Sequence, residues 1–253
     1  MVTFTHDAPG TDEQLWQQWG GLDDLEPLAD LVPRHMVVLA AHPDDETLGA
    51  GGLIAHCAAA GTQVDVVVAT AGEASHPRSP TTTPVQLAEL RAHEVRAAVQ
   101  ALAPNARLHL MGLPDGRLAD HQAGVVQKLA GLLVDGSWLV APWRSDAHPD
   151  HEAAGRAARI AATARICLLE YPVWLWHWAV PDDVRVPWKR LRRFQLSVHD
   201  QRRKVEAMTT HASQVLPLSD QPGDEALLTP GVVAHFERDI EVFFDERLAG
   251  ERA

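Results

Sequence analysis

The chain has 253 residues, 46% hydrophobic and 22% charged, which suits a globular protein with one substantial core. Lys and Arg number 22 against 34 Asp and Glu, and the formal net charge of −12 argues against nucleic acid as a partner. Two isolated cysteines, Cys57 and Cys167, argue against a disulfide scaffold or a thiolate metal site, and no run of about 18 apolar residues suggests an integral membrane span.

The opening stretch, MVTFTHDAPGTDEQ, is polar and lacks the apolar core of a signal peptide, so a cytoplasmic location is expected. Residues 36–41 form the first predicted strand, and 47–60, rich in small residues, the first long helix. A second strand follows at 63–71, then a Pro/Ser/Thr loop at 75–84 and a helix with apolar residues at helical spacing over 85–102. Further strands are expected at 107–111, 138–141 and 166–170, with helices at 122–134 and 152–164. Strands alternating with helices of this length imply βαβ crossovers and a mostly parallel sheet covered on both faces. The aromatic stretch YPVWLWHW (171–178) departs from the pattern and reads as core or a dimer contact rather than a substrate wall. KRLRR (189–193) reads as a solvated face. No repeat or low-complexity linker divides the chain, so one domain is expected over 1–253.

Two clusters interrupt the ordinary pattern. His42-Pro43-Asp44-Asp45-Glu46 follows the first strand, and Asp146-Ala147-His148-Pro149-Asp150-His151 follows the fourth. In open parallel sheets ligands gather beyond the carboxyl ends of the strands, so the fold can bring both clusters together. One cluster alone is equally well read as helix N-capping. Two clusters, with His42 and Asp45 three apart in one and His148 and His151 three apart in the other, point instead to a dication held by three protein ligands with a position left for water. The surplus of candidates then supplies a base and an oxyanion donor, as a hydrolase needs. A glycine-rich phosphate loop is the competing reading and would make the chain a non-catalytic sugar- or nucleotide-binding module. GAGG (49–52), however, follows three acidic residues and does not spell GxGxxG, so these glycines are expected to let a helix pack closely.

The motifs AHPDDE (41–46), TAGE (70–73), RAHE (91–94), LPDG (113–116), DAHPDH (146–151) and KVEAMTTHASQ (204–214) resemble, in order, those of the PIG-L/LmbE-like zinc-dependent N-acetylglucosaminyl deacetylases. The resemblance spans roughly residues 35–215, leaving 1–33 as an N-terminal extension and 216–253 as a segment packed on the core. It implies a Rossmann-like three-layer α/β fold with the site at the carboxyl ends of the strands. It also implies Zn²⁺, with Fe²⁺ as an in-cell alternative, held by His42, Asp45 and His151. Asp44 would be the general base, and His148 the oxyanion donor or acid, with Asp150 holding its ring. Arg91 and Asp115 match positions facing the sugar or supporting the site, although Arg91 equally suits a pair with Glu94 and Asp115 an Asp-Gly turn. Glu46 and Glu73 would support from behind, and His211 reads as structural. The implied partner is a small-molecule amino sugar or its conjugate, with an amidase on a non-sugar substrate as the alternative and a homo-oligomer left open. Some relatives place a tyrosine shortly before HPDH; here the residues are WRSDA, so its contacts do not carry over.

Overall fold

In the computed structural model, residues 8–28 and 32–246 are described; parts of both expected terminal segments, including residues 1–7 of the leader reading, lie outside them. A short helix α1 (Glu13–Gln18) precedes β1 (His35–Ala40), α2 (Asp45–Ala59), β2 (Gln63–Thr70), α3 (Pro84–Leu102) and β3 (Arg107–Leu113). After these come α4 (Gln122–Ala130), β4 (Trp138–Pro142), α5 (Pro149–Ala161) and β5 (Cys167–Tyr171). The chain ends with α6 (Leu175–Trp178), β6 (Leu191–Gln195), α7 (Val198–Thr210), α8 (Ala212–Val215), α9 (Pro230–Ala234) and β7 (Ile240–Asp245).

The strands form one seven-stranded sheet in the order β3-β2-β1-β4-β5-β7-β6. The first five are parallel, whereas β7 runs antiparallel to both neighbours. Side chains alternate across the sheet as strand geometry requires. Met36, Val38 and Ala40 of β1 enter the core under α2, α3 and α7, while Val37 and Leu39 enter the core under α4 and α5. Both faces are thus covered, which explains the nearly unbroken apolar runs of β1, β2 and β4. No helix among the described residues is long and apolar enough to cross a membrane.

Local signals fix the helix starts. Thr83 and Gln86 form a reciprocal capping box ahead of Pro84, and His148 caps α5 with Pro149 in its first turn. The GAGG glycines do serve close packing: a Cβ on Gly49 would lie 2.0 Å from the ring of Tyr171. Two expectations are corrected. KRLRR is not simply a solvated face, because residues 191–195 form the edge strand β6, anchored where the Arg193 Nε–H donates to Leu25 O at 3.1 Å. The C-terminal segment does more than pack on the core, since β7 inserts between β5 and β6.

Candidate active site

The order β3-β2-β1-β4-β5 reverses direction between β1 and β4, and the connections leaving these two strands carry the two clusters. A crevice opens at such a switch point because neighbouring crossovers depart to opposite faces. Here it is a cavity of about 550 Å³, with His42, Asp44, Asp45, Arg91, Asp115 and His148 among its lining residues.

The chain leaves β1 by a strained turn. Asp44 has φ 141° and ψ −31°, a conformation rarely adopted by a residue with a Cβ, and it makes no side-chain cap to α2. The turn is fastened from within: Asp45 Oδ2 accepts the His42 backbone N–H at 2.8 Å, and Glu46 Oε2 that of Asp44 at 3.3 Å. From α3 the Arg91 guanidinium donates to Pro43 O at 2.8 Å, Gly72 O at 2.9 Å and Asp44 Oδ2 at 3.1 Å. Gly72 permits this approach, since a Cβ there would meet Arg91 Nη1 at 2.0 Å. Arg91 therefore lines the cavity with Nη1 and Nη2 committed to Gly72 O, Pro43 O and Asp44, while its buried Nε has no partner. The alternative pair with Glu94 does not form; Glu94 accepts instead from Ser213 N at 2.8 Å and Ser213 Oγ at 2.7 Å.

The second cluster rests on Asp146, which is fully buried just beyond β4. Its carboxylate accepts the backbone N–H groups of Val173, Trp174 and Leu175 at 2.9–3.2 Å and the His151 Nδ1–H at 2.8 Å. In a neutral His151 ring the remaining nitrogen, Nε2, then carries a lone pair. That atom has no hydrogen-bond partner, and Asp45 Oδ1 lies 3.1 Å from it. A lone pair facing a carboxylate oxygen in a buried site needs a cation between them or a proton on the ring. Burial opposes that proton, but Asp45 and Asp146 raise the ring's pKa to about 9.

His42 is held in a similar way. Its Nε2 lies 3.1 Å from Asp115 Oδ1 and 3.4 Å from Asp150 Oδ2, and its Nδ1 is 3.4 Å from Asp45 Oδ2. Asp45 thus meets the two rings with different oxygens, Oδ1 toward His151 at 3.1 Å and Oδ2 toward His42 at 3.4 Å. Among the described residues, the groupings whose donor atoms all lie within 4.8 Å of one another are His42 with His148 and His151, and His42 with Asp115 and Asp150. The donors are imidazole and carboxylate, a set that fits a borderline dication.

Burial pushes the Asp44 carboxyl up to about 7; Asp45 adds to the rise and Arg91 opposes it. His148 is driven the other way, to about 2, by burial and by His151 and His42. Its Nδ1 accepts the Asp150 backbone N–H at 3.3 Å, so the neutral ring keeps its proton on Nε2.

All eight sequence-predicted residues come to this one site, and one of them, Asp150, makes contacts other than those expected. The Asp150 carboxylate does not hold the His148 ring; it accepts from Gly116 N at 2.8 Å and Leu118 N at 3.0 Å and faces His42. Asp115 takes up the Ala74 N–H at 3.0 Å besides facing His42, so it supports the site as well as lining it. Arg91 is committed to Asp44 as described. His211 keeps its structural reading, with Nε2 3.1 Å from Thr47 Oγ1, and Thr47 in turn donates to Glu46 at 2.8 Å.

Sequence reading left Asp146 without a role, although an aspartate directly after a strand and five residues before His151 was the available signal. It also misplaced part of the aromatic stretch. Trp176 is core, stacked edge-on against Trp16, but Val173 and Trp174 line the cavity. Leu227 and Leu228 join them from a segment that carries no motif.

A profile of the PIG-L family, described as GlcNAc-PI de-N-acetylase, matches residues 37–162, a stretch that contains both clusters. The chain belongs to this family. Among its relatives are two proteins named 1D-myo-inositol 2-acetamido-2-deoxy-alpha-D-glucopyranoside deacetylase. The one from Kineococcus radiotolerans is 30% identical over 62% of this chain and 47% of its own length, and the one from Mycobacterium sp. strain KMS is 32% identical over 60% and 56%. This PIG-L chain thus spans about half the length of the curated relatives it matches. The solved N,N'-diacetylchitobiose deacetylase of Pyrococcus horikoshii shares the fold, with a TM-score of 0.59, 18% identity and coverage of 83% of this chain and 82% of that one.

Proposed function

We propose that this PIG-L protein is a zinc-dependent hydrolase that removes the acetyl group from an N-acetylglucosamine-type amino sugar or its conjugate, releasing acetate and a free amine. The observation that carries this reading is the buried, unpartnered His151 Nε2 facing Asp45 Oδ1 at 3.1 Å, with Asp45 and the buried Asp44 carboxyl both lining the cavity. The relatives' names, all deacetylases of acetamido sugars, support the same chemistry.

His42, Asp45 and His151 would hold the metal, and ferrous iron suits the same donors. A metal bound there supplies Lewis-acid polarisation of the amide carbonyl and an acidified water. Asp44, held at its strained turn by Arg91, takes the proton from the attacking water and returns it to the departing nitrogen. His148 donates its Nε2–H to the carbonyl oxygen as negative charge builds there; with its pKa about 2 it acts as a neutral donor rather than an acid. Asp150 and Asp115 keep the His42 ring oriented, with Nδ1 toward Asp45.

The test is acetate release from N-acetylglucosamine and its simple glycosides by the purified full chain. Activity that disappears on chelation and returns with added zinc or iron supports the reading. A metal-loaded protein inert on every amino sugar, yet hydrolysing other acetamides, would move the assignment to a non-sugar amidase.

A further inference from the structure

Helix α2 has a partner from the C-terminal strand at a place where a helix ordinarily needs none. The backbone N–H groups of Gly52 and Leu53 lie in its interior, where the carbonyls of Leu48 and Gly49 are the regular acceptors. Both N–H groups donate to the carboxylate of Glu241, Gly52 N to Oε1 at 2.7 Å and Leu53 N to Oε2 at 2.8 Å. From α7, Lys204 Nζ meets the same carboxylate at 2.9 Å, and both side chains of this pair are buried. Glycine clears the way. A Cβ on Gly52 would lie 3.2 Å from Glu241 Oε1, and one on Gly51 would lie 3.1 Å from Lys204 Cγ.

A carboxylate that takes two successive interior N–H groups does for them what a cap does for the first turn of a helix. A side chain inserted into the i→i−4 ladder is also one of the few causes of a kink. The turn just before this point has free space on both sides. Leu48 lines the active-site cavity, and Leu48 and Gly49 line a second cavity of about 20 Å³ together with Glu241 and Lys204. Glu241 reaches α2 because β7 is antiparallel to β5. Phe244 pairs with Glu170, so residues 240–241 lie past the carboxyl end of β5, on the side of the site. Asp45, one of the three residues assigned to the metal, opens the same helix about two turns earlier.

Resting on the metal-dependent reading, we infer that Glu241 is a positioning residue for the metal centre. It divides α2 at its glycines into an inner stretch, 52–59, capped and fixed by β7, and an outer stretch, 45–51, whose tilt follows from that cap. The placement of Asp45 follows in turn from the tilt of the outer stretch. GAGG is the sequence that admits the carboxylate, and the strand that delivers it lies outside residues 37–162 matched by the family profile. Lys204 has the narrower part of balancing a buried charge.

The experiment compares zinc affinity, by competition titration, in the full-length wild type, in Lys204→Met and in the double variant Glu241→Gln/Lys204→Met. Lys204→Met removes the counter-charge but leaves the carboxylate on both N–H groups, and its Kd for zinc is expected to equal that of the wild type. In the double variant no buried charge is left unpaired, yet an amide cannot accept both N–H groups. Its Kd should rise by at least about tenfold, the lower end of what outer partners of metal ligands contribute. Its metal-free melting temperature should be no lower than that of Lys204→Met, so lost affinity cannot be ascribed to lost stability. Residue-resolved hydrogen exchange on the wild type decides whether or not the variants fold. Without metal, the amides of 49–51 should exchange faster than those of Gly52 and Leu53, and zinc should close that gap. A double variant that binds zinc as tightly as the wild type, or exchange with no step at Gly52, overturns the inference. If the wild type takes up neither zinc nor iron, the metal-dependent reading fails instead, and the step at Gly52 in the metal-free chain alone decides whether Glu241 divides α2.

Discussion

Asp44 combines a buried carboxylate with a backbone φ of 141°, and its two features can be separated by substitution. Asp44→Ala removes the proposed base and should lower turnover by roughly 10²–10⁴-fold with metal content retained, measured by acetate release and metal analysis. Asp44→Gly removes the same carboxylate and also relieves the backbone. Strain at such a position costs about 1–3 kcal/mol, while the extra unfolded-state freedom of glycine takes back about 0.4–1 kcal/mol. The Gly variant should therefore be as inactive as the Ala variant yet more stable by about 1 kcal/mol in urea unfolding; equal midpoints would show that the turn is unstrained. Asp146 gives a second test at this scale. Asp146→Asn leaves the shape but weakens the hold on the His151 Nδ1–H, and metal affinity should fall about 10–100-fold in a competition titration. Seven of the eight site residues were legible because they lie in short motifs at a strand or helix end, whereas Arg91, within α3, was legible only through the family resemblance. Their contacts were less so: Arg91 meets Asp44 across 47 positions and Asp150 meets Leu118 across 32, separations that no local spacing encodes.

At the level of elements, the first five strands and the four helices between them were readable from β-branched runs alternating with longer amphipathic or small-residue stretches. β6 was hidden because LRRFQ carries two arginines in five residues, and such charge is tolerated only at the sheet edge it occupies. α1 was hidden because its stability comes from distant partners. Trp16, fully buried, packs against Trp19, Trp176 and Trp188, and Glu13 is gripped by Arg238 and His235 some 220 positions away. Burial raises the Glu13 pKa, but hydrogen bonds from Arg238 and His235 outweigh it and leave it at about 2 against an ordinary 4.5. A depressed carboxyl pKa stabilises the fold above about 4.5, and that contribution is lost as pH falls toward about 2. Wild-type and Glu13→Gln melting temperatures should therefore differ at pH 6 and converge between about pH 4.5 and 2. A constant gap across that range would mean that the grip acts through shape rather than charge.

For the whole molecule, the site lies where two halves of the sheet diverge: β1 supplies one cluster, β4 the other, and their covering helices leave to opposite faces. Without a cation, this junction brings Asp44, Asp45, Asp115, Asp146 and Asp150 together around three histidines. A metal held by His42 and Asp45 from one connection and His151 from the other would offset part of that charge and tie the halves together. A ligand that binds only the folded state stabilises it by about 2.7 kcal/mol at a hundred times its Kd, which in a chain of this size is about 5–10 °C in melting temperature. Chelation should lower the wild-type melting temperature by about that much, and readdition of zinc should restore it. His151→Ala provides the control, because it removes the proposed bridging ligand while leaving the β1 cluster whole. Its melting temperature should be nearly indifferent to chelator and to zinc. If His151→Ala were stabilised by zinc as strongly as the wild type, the ion would be held by His42 with Asp115 and Asp150, and the tie between β1 and β4 would not exist.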